Sequence, residues 1–184
     1  MALRESLNLH YVDRADRAVG RTIRAVQRFA PVTVAMRRTT DWGSLYTAIG
    51  AAVLLHSQGR PRTAVKLLST GLVGWELGSW LKTRTQRPRP YENDNAFRLI
   101  NPPMGSSMPS GHAITSAAMA TVSAAHTRPS RRWIWAILPA WVGLTRVGLG
   151  VHHPADIAAG WAVGFWLGTV INAADHSIPG TTQA

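Results

Sequence analysis

The sequence predicts an all-α protein: a polytopic membrane bundle of about five spans, preceded by an amphipathic helix that lies on a surface. Three observations predict it. Charge is partitioned, crowded into residues 1–41 and 82–98 and nearly absent from five apolar stretches. Those stretches, about 42–57, 64–81, 111–126, 133–150 and 155–174, approach the ~20 residues that cross ~30 Å of hydrocarbon. Glycines recur every fourth residue, at Gly74 and Gly78 and at Gly160, Gly164 and Gly168. Such spacing lets helices approach closely in lipid, whereas in water each glycine costs about 1 kcal/mol against alanine.

Composition narrows the class. The 184 residues suit a single domain. A mean hydropathy of −0.03 conceals the partition between charged and apolar stretches. With no cysteine, disulfides, thiol nucleophiles and thiolate metal sites are excluded. A formal net charge of +11 calls for an anionic partner. Eight Trp stand against three Phe, and Trp42, Trp80 and Trp133 fall at segment ends, where a membrane–water boundary favours them.

In chain order, residues 1–41 read as one helical segment. Val12, Ala15, Val19, Ile23, Val26 and Phe29 recur at helical spacing, while Arg14, Arg17, Arg21, Arg24 and Arg28 fill the other faces. Pro31 ends or bends it. The helix either packs on a core or lies against anionic headgroups, and the neighbouring spans favour the second. Residues 42–174 form the membrane domain and 175–184 a short tail. Short basic turns join the spans at 58–63 and 127–132, but 82–108 is a long polar loop. Loops of that length usually have a task. With five alternating spans, this loop, the Arg146–Pro154 turn and the N-terminal helix share one face. Glu76, inside a span, is expected to bond between helices.

Three clusters land on that face. Lys82 to Pro90 (KTRTQRPRP) follows a span. Pro109-Ser110-Gly111-His112 opens another, where serine suits the N-cap, glycine admits a ligand to the backbone, and a helix N-terminus attracts anions. Thr145 to Asp156 (TRVGLGVHHPAD) carries Arg146, His152 and Asp156, with Pro154 suited to a first helical turn. Asp156, about one turn beyond His152, is expected to hold one ring nitrogen and leave the other as a nucleophile.

Together they assemble a phosphate site. Lys82, Arg89 and Arg146 are expected to neutralise the phosphoryl oxygens, with the amides of Ser110 and Gly111 as further donors. His152 attacks phosphorus, Asp156 fixes its tautomer, and His112 protonates the departing alkoxide and then activates water. No metal and no cofactor is called for, since cationic side chains supply the charge. Two other readings stay open: a metal-dependent hydrolase built on His112, His152, His153 and Asp156, and a non-enzymatic basic protein that binds anionic lipid.

This constellation resembles the type 2 phosphatidic acid phosphatase superfamily, integral-membrane lipid phosphatases that also include vanadium haloperoxidases. The family pattern K-x(6)-R-P corresponds to Lys82 through Arg89-Pro90, and P-S-G-H to Pro109 through His112. S-R-x(5)-H-x(3)-D corresponds to Arg146, His152 and Asp156, with Thr145 in place of serine but retaining a hydroxyl. The resemblance covers about residues 42–174 and implies a helical bundle and a phosphohistidine intermediate. It also implies a lipid phosphate substrate, polyprenyl phosphates or diphosphates ahead of glycerolipids; small relatives include decaprenyl-phosphoryl phosphoribose phosphatases. The expected partners are that substrate and membrane lipids, not nucleic acid; nothing indicates an oligomeric state. The active-site face holds about fourteen of the twenty Lys and Arg residues, which puts it on the cytoplasmic side of the cell membrane by the positive-inside rule.

Overall fold

The computed structural model describes residues 2–93 and 96–176. It is all-helical, with no strand among the described residues. The helices are α1 (Ala2–Arg24), α2 (Ala30–Thr39), α3 (Leu45–Ser57), α4 (Pro61–Thr85), the single turn α5 (Pro90–Asn93), α6 (Gly111–Ala125), α7 (Ile137–Gly148) and α8 (Pro154–His176). Short 3₁₀ segments precede α2, α3 and α7, at Ala25–Arg28, Thr40–Gly43 and Pro129–Ala136. The predicted tail falls largely on residues 177–184, outside the described residues.

α6 forms the axis of the fold. It is rich in Ala, Ser and Thr, and these small side chains let α8, α4 and α7 close around it. Ile114 and Ala118 of α6 pack on Leu167 of α8, while Met119 and Val122 meet Ala48 of α3 and Leu67 of α4. Closest approach occurs along the glycine row of α8. A Cβ added at Gly160 would lie 2.7 Å from Ala113 Cβ, and one at Gly168 would lie 2.6 Å from Thr121 Cβ. At Gly164 it would run into the Ile114 carbonyl oxygen. The close approach expected of this row is therefore present. Gly74 and Gly78 are looser, with added Cβ atoms 3.4 and 3.2 Å from Ile114.

Two predicted elements divide differently. The N-terminal segment is not one helix to residue 41. It breaks at Ala25–Phe29, where Phe29 is extended (φ −104°, ψ 99°), and Pro31 sits in the first turn of α2, the place where a missing amide costs nothing. α1 turns Asp16, Gly20 and Arg24 inward, against α7 and α8, and leaves Arg14 and Arg21 exposed, as is Arg28 in the 3₁₀ segment that follows. The stretch 133–150 is likewise split. Pro139 cannot donate inside a helix that started at Trp133, and α7 begins instead at Ile137, which puts the proline in its first turn. Glu76, expected to bond between helices, lies exposed on α4.

Among the described residues one helical segment, Pro154–Ala174, has both the length and the hydropathy to cross a membrane, and Leu45–Ser57 is a shorter apolar helix. α7, with twelve residues, rises only about 18 Å.

The glycine row makes a direct prediction. Gly164→Ala destabilises the protein by roughly 1–3 kcal/mol through overpacking. Gly50→Ala, where an added Cβ meets no atom within 4 Å, is neutral or stabilising by up to about 1 kcal/mol. Thermal unfolding of the detergent-solubilised protein distinguishes the two.

Candidate active site

Three helix ends converge on one cavity of about 920 Å³. The last turn of α4 brings Lys82, the first turn of α6 brings Gly111 and His112, α7 contributes Arg146, and the α7–α8 turn contributes His152. These residues, separated by up to seventy positions, share a single lining. The opposite wall is largely apolar, through Leu45, Tyr46, Trp75 and Met104.

His152 is 1% exposed. Burial pushes its pKa down to about 3, and Arg146 and Arg89 add to that against the pull of Asp156, so the imidazole is neutral at ordinary pH. The predicted hydrogen bond from His152 to Asp156 is not formed. His152 Nδ1 stands 3.7 Å from Asp156 Oδ2 and has no hydrogen-bond partner. Asp156 is fully buried in the first turn of α8, as its position after Pro154 predicts, but other donors have taken its oxygens. Arg87 Nη1 donates to Oδ1 at 2.7 Å, while Ser107 Oγ and the His153 amide (2.8 Å) donate to Oδ2.

The carboxylate–imidazole hydrogen bond is found instead at His112, whose Nε2 lies 3.2 Å from Asp41 Oδ1. That bond from His112 is the main influence holding the Asp41 carboxyl below its ordinary range. Arg146 is 2% exposed; its Nη1 donates to Thr40 Oγ1 at 3.1 Å, and its Nε has no partner. Thr145 keeps the hydroxyl expected of it and donates it to Thr40 (3.2 Å) or the Val142 carbonyl (2.7 Å).

Two predicted phosphate ligands have donors engaged by the protein's own backbone. The Ser110 amide does not face the cavity but donates to the Asp156 carbonyl at 3.0 Å, and the Ser110 side chain caps α6 by accepting from Ala113 N. Arg89 is 1% exposed and spreads its donors over the carbonyls of Met104, Gly105, Ser106 and Val151. Its nearest approach to the chemistry is Nη1, 3.5 Å from His152 Nε2. At Gly111 an added Cβ would meet no protein atom within 4 Å. Packing does not require that glycine, and the space in front of it is open to a ligand. Among the described residues, no three His, Asp or Glu side chains gather as metal ligands.

The residues missed in the sequence are Thr40, Asp41, Ser107 and the group around Arg87. Arg87 Nη2 meets Asp13 at 3.2 Å and Asp16 at 2.5 Å on α1 while Nη1 holds Asp156. Burial lowers the Arg87 pKa, but Asp156 and Asp16 outweigh it and keep the guanidinium charged. Asp16 also accepts the Ala155 amide at 2.8 Å, so α1 caps α8 from outside. A signal existed in the sequence: two acids three residues apart on one face of an arginine-rich helix.

The family model of the PAP2 superfamily matches residues 63–177. The chain belongs to the PAP2 superfamily. It is 34% identical over 131 residues to an undecaprenyl-diphosphatase of Sulfolobus acidocaldarius, covering 70% of this chain and 63% of the relative. It is 31% identical over 163 residues to a lipid A 1-phosphatase of Rhizobium johnstonii, covering 75% and 66%. The match thus spans about two thirds of the length of these relatives. In fold it is similar to the transmembrane PAP2-type phosphatidylglycerolphosphate phosphatase of Bacillus subtilis, with a TM-score of 0.74 at 22% identity over 94% of this chain and 90% of that one. LpxE of Aquifex aeolicus gives a TM-score of 0.73 at 21% identity, over 85% and 93%. Every residue of the three PAP2-like motifs lies inside the matched stretch, whereas Asp13, Asp16, Thr40 and Asp41 lie before it.

Two predictions test this arrangement. Arg87→Ala leaves Asp156 buried without its cation and destabilises the protein by about 3–5 kcal/mol, read by thermal unfolding. His152 gives a pH dependence. Its folded pKa, about 3, lies below the ordinary 6.5, so below pH 6.5 the unfolded chain binds a proton that the folded chain refuses. Stability falls as pH drops from 6.5 towards 3, and unfolding of His152→Asn shows a shallower dependence over that window.

Proposed function

We propose that this chain is a membrane lipid phosphate phosphatase that hydrolyses a phosphate monoester or diphosphate through a phosphohistidine on His152. The observation that carries the reading is a buried, neutral imidazole on the same cavity wall as Lys82 and Arg146. A phosphate dianion in that cavity is drawn to two cationic side chains and to the Gly111 amide. His152 Nε2 attacks phosphorus, and the bond to the leaving oxygen breaks. His112, oriented by Asp41, gives the leaving oxygen its proton and then takes one from the attacking water. Water breaks the P–N bond and inorganic phosphate leaves. Asp156 acts by charge at 3.7 Å from the ring. Arg89 fixes the loop behind the nucleophile. The side chains supply the charge that a metal ion supplies elsewhere, so chelators leave activity intact.

Relatives named undecaprenyl-diphosphatase and lipid A 1-phosphatase support a lipid phosphate as the substrate class. The apolar wall at Leu45, Tyr46 and Trp75 suits the chain of such a lipid. Membrane residence is supported by the exposed apolar side chains of α3, α4 and α8, among them Val53, Leu54, Val65, Trp166 and Val170, a coat that is costly in water. We read residues 42–174 as the membrane domain, with about five crossings and the shorter helices accommodated by local bilayer thinning or snorkelling of flanking residues. The N-terminal helices lie along the headgroups through Arg14, Arg21 and Arg28, and the site opens to the cytoplasm.

His152→Ala abolishes phosphate release from lipid monophosphates and diphosphates, and labelled phosphate no longer becomes trapped on the protein as an acid-labile adduct. A variant that still turns over removes His152 as nucleophile. His112→Ala harms monoesters more than diphosphates, because an alkoxide needs the proton more than a phosphate does; equal losses remove it as donor. For sidedness, Ser57→Cys is reached by a membrane-impermeant thiol reagent in intact cells and Phe97→Cys is not. The reverse labelling puts the site outside.

A further inference from the structure

A second cavity, of about 700 Å³, adjoins the catalytic one and shares Pro103, His112 and Arg146 with it. His152 lines only the first. We propose that this second cavity is an anion subsite that receives a phosphate carried on the leaving portion of the substrate. It rests on the phosphatase reading above and specifies what that enzyme cleaves.

The charge of the lining carries the argument. Three guanidinium groups, from Arg37, Arg98 and Arg146, face a single carboxylate, Asp41, which is already engaged by His112. Among the described residues neither Arg37 nor Arg98 pairs with a carboxylate. Arg98 stacks on the Tyr91 ring, 4.9 Å from its centroid, which orients the guanidinium plane and leaves its N–H edges to bind an anion. Arg146 supplies the buried observation: its Nε is an unsatisfied donor in a residue 2% exposed. Buried donors without partners are rare, and because Arg146 borders both cavities an anion bound where they meet can supply the acceptor.

The walls are built rather than loose. The Leu99 amide donates to the Leu149 carbonyl at 3.2 Å, and Gln27 Nε2 reaches both Phe97 O (3.2 Å) and Gly148 O (2.9 Å). Gly150, at φ +77°, lets the Phe97 carbonyl pass where a side chain would block it. The segment bearing Arg98 is thereby fastened to α7 and to the N-terminal helices.

His112 decides which part of the substrate enters. As proton donor to the leaving oxygen it stands at the junction, so whatever is bonded to that oxygen begins where the two cavities meet. In a monophosphate the group on that oxygen is the hydrocarbon chain, which suits the wall of Leu45, Tyr46 and Trp75; in a diphosphate it is the second phosphate, with the chain attached beyond it. An arginine-lined space does not suit hydrocarbon. A simple lipid monophosphate has nothing to put there, whereas a substrate with a second phosphate close to the scissile bond does.

The test uses the full-length protein in uncharged detergent micelles with short prenyl monophosphates and diphosphates. Arg37→Gln and Arg98→Gln each lower kcat/KM for the diphosphate about ten- to hundredfold, as expected for lost charged hydrogen bonds, but for the monophosphate by less than about threefold. Arg98→Lys recovers part of the loss. Equal losses on both substrates, or none on the diphosphate, overturn the subsite. A defect that appears only after phosphatidylglycerol is added to the micelles also overturns it, because the cavity then holds a bilayer headgroup. Wild-type protein that releases phosphate from neither substrate refutes the phosphatase reading itself, a result distinct from all of these.

Discussion

An ionised carboxylate with no solvent exposure is tolerable only when its charge is met on every side, and Asp156 is held on those terms. Desolvating a carboxylate costs several kcal/mol, and the recovery comes from Arg87, Ser107 and the His153 amide. Each of these belongs to a segment that must then stay in place. Arg87 fastens the loop after α4, Ser107 the loop before α6, and His153 the entry to α8. Through Asp13 and Asp16 the same guanidinium also fastens α1. Four stretches of chain thus meet at one side chain, and the cavity is the space they leave between them.

That demand explains why several motif residues hold up the site rather than face a ligand. Ser110 and Arg89 spend their donors on backbone carbonyls, where each bond fixes a loop that carries a neighbour. In the proposed mechanism a phosphate is left with Lys82, Arg146 and the Gly111 amide, and the two cations match the charge of a dianion. The division has a physical advantage. Donors committed to the frame do not reorganise when substrate arrives, and preorganised charge is what stabilises a developing transition state.

How much could be read in advance follows from the range of each interaction. That Lys82, Gly111, His112, Arg146 and His152 share one lining was legible because each stands near a helix end, all but Lys82 within two residues of a Pro or Gly, and helix ends are local features of sequence. Pro154 likewise marks the start of α8 correctly. The partners of these residues were not legible. Asp41 reaches His112 across 71 positions and Asp16 reaches Arg87 across the same interval, and such pairings depend on which helices dock. Asp156 shows the limit most clearly. Its spacing from His152 is right for a hydrogen bond, but a carboxylate bonds to the best donors available, and two of them arrive from the 82–108 loop.

The residues outside the matched stretch complete the argument. α1 and α2 precede the region that the PAP2 family model covers, yet they supply Asp16 to Arg87 and to the α8 amide, Thr40 to Arg146 and, with the turn that follows, Asp41 to His112. These N-terminal segments provide hydrogen-bond acceptors for Arg87, Arg146 and His112. The arginine-rich outer face of α1 then has a consistent cause. The inner face carries Asp13 and Asp16, which Arg87 meets, and in the proposed membrane arrangement the outer face meets anionic headgroups.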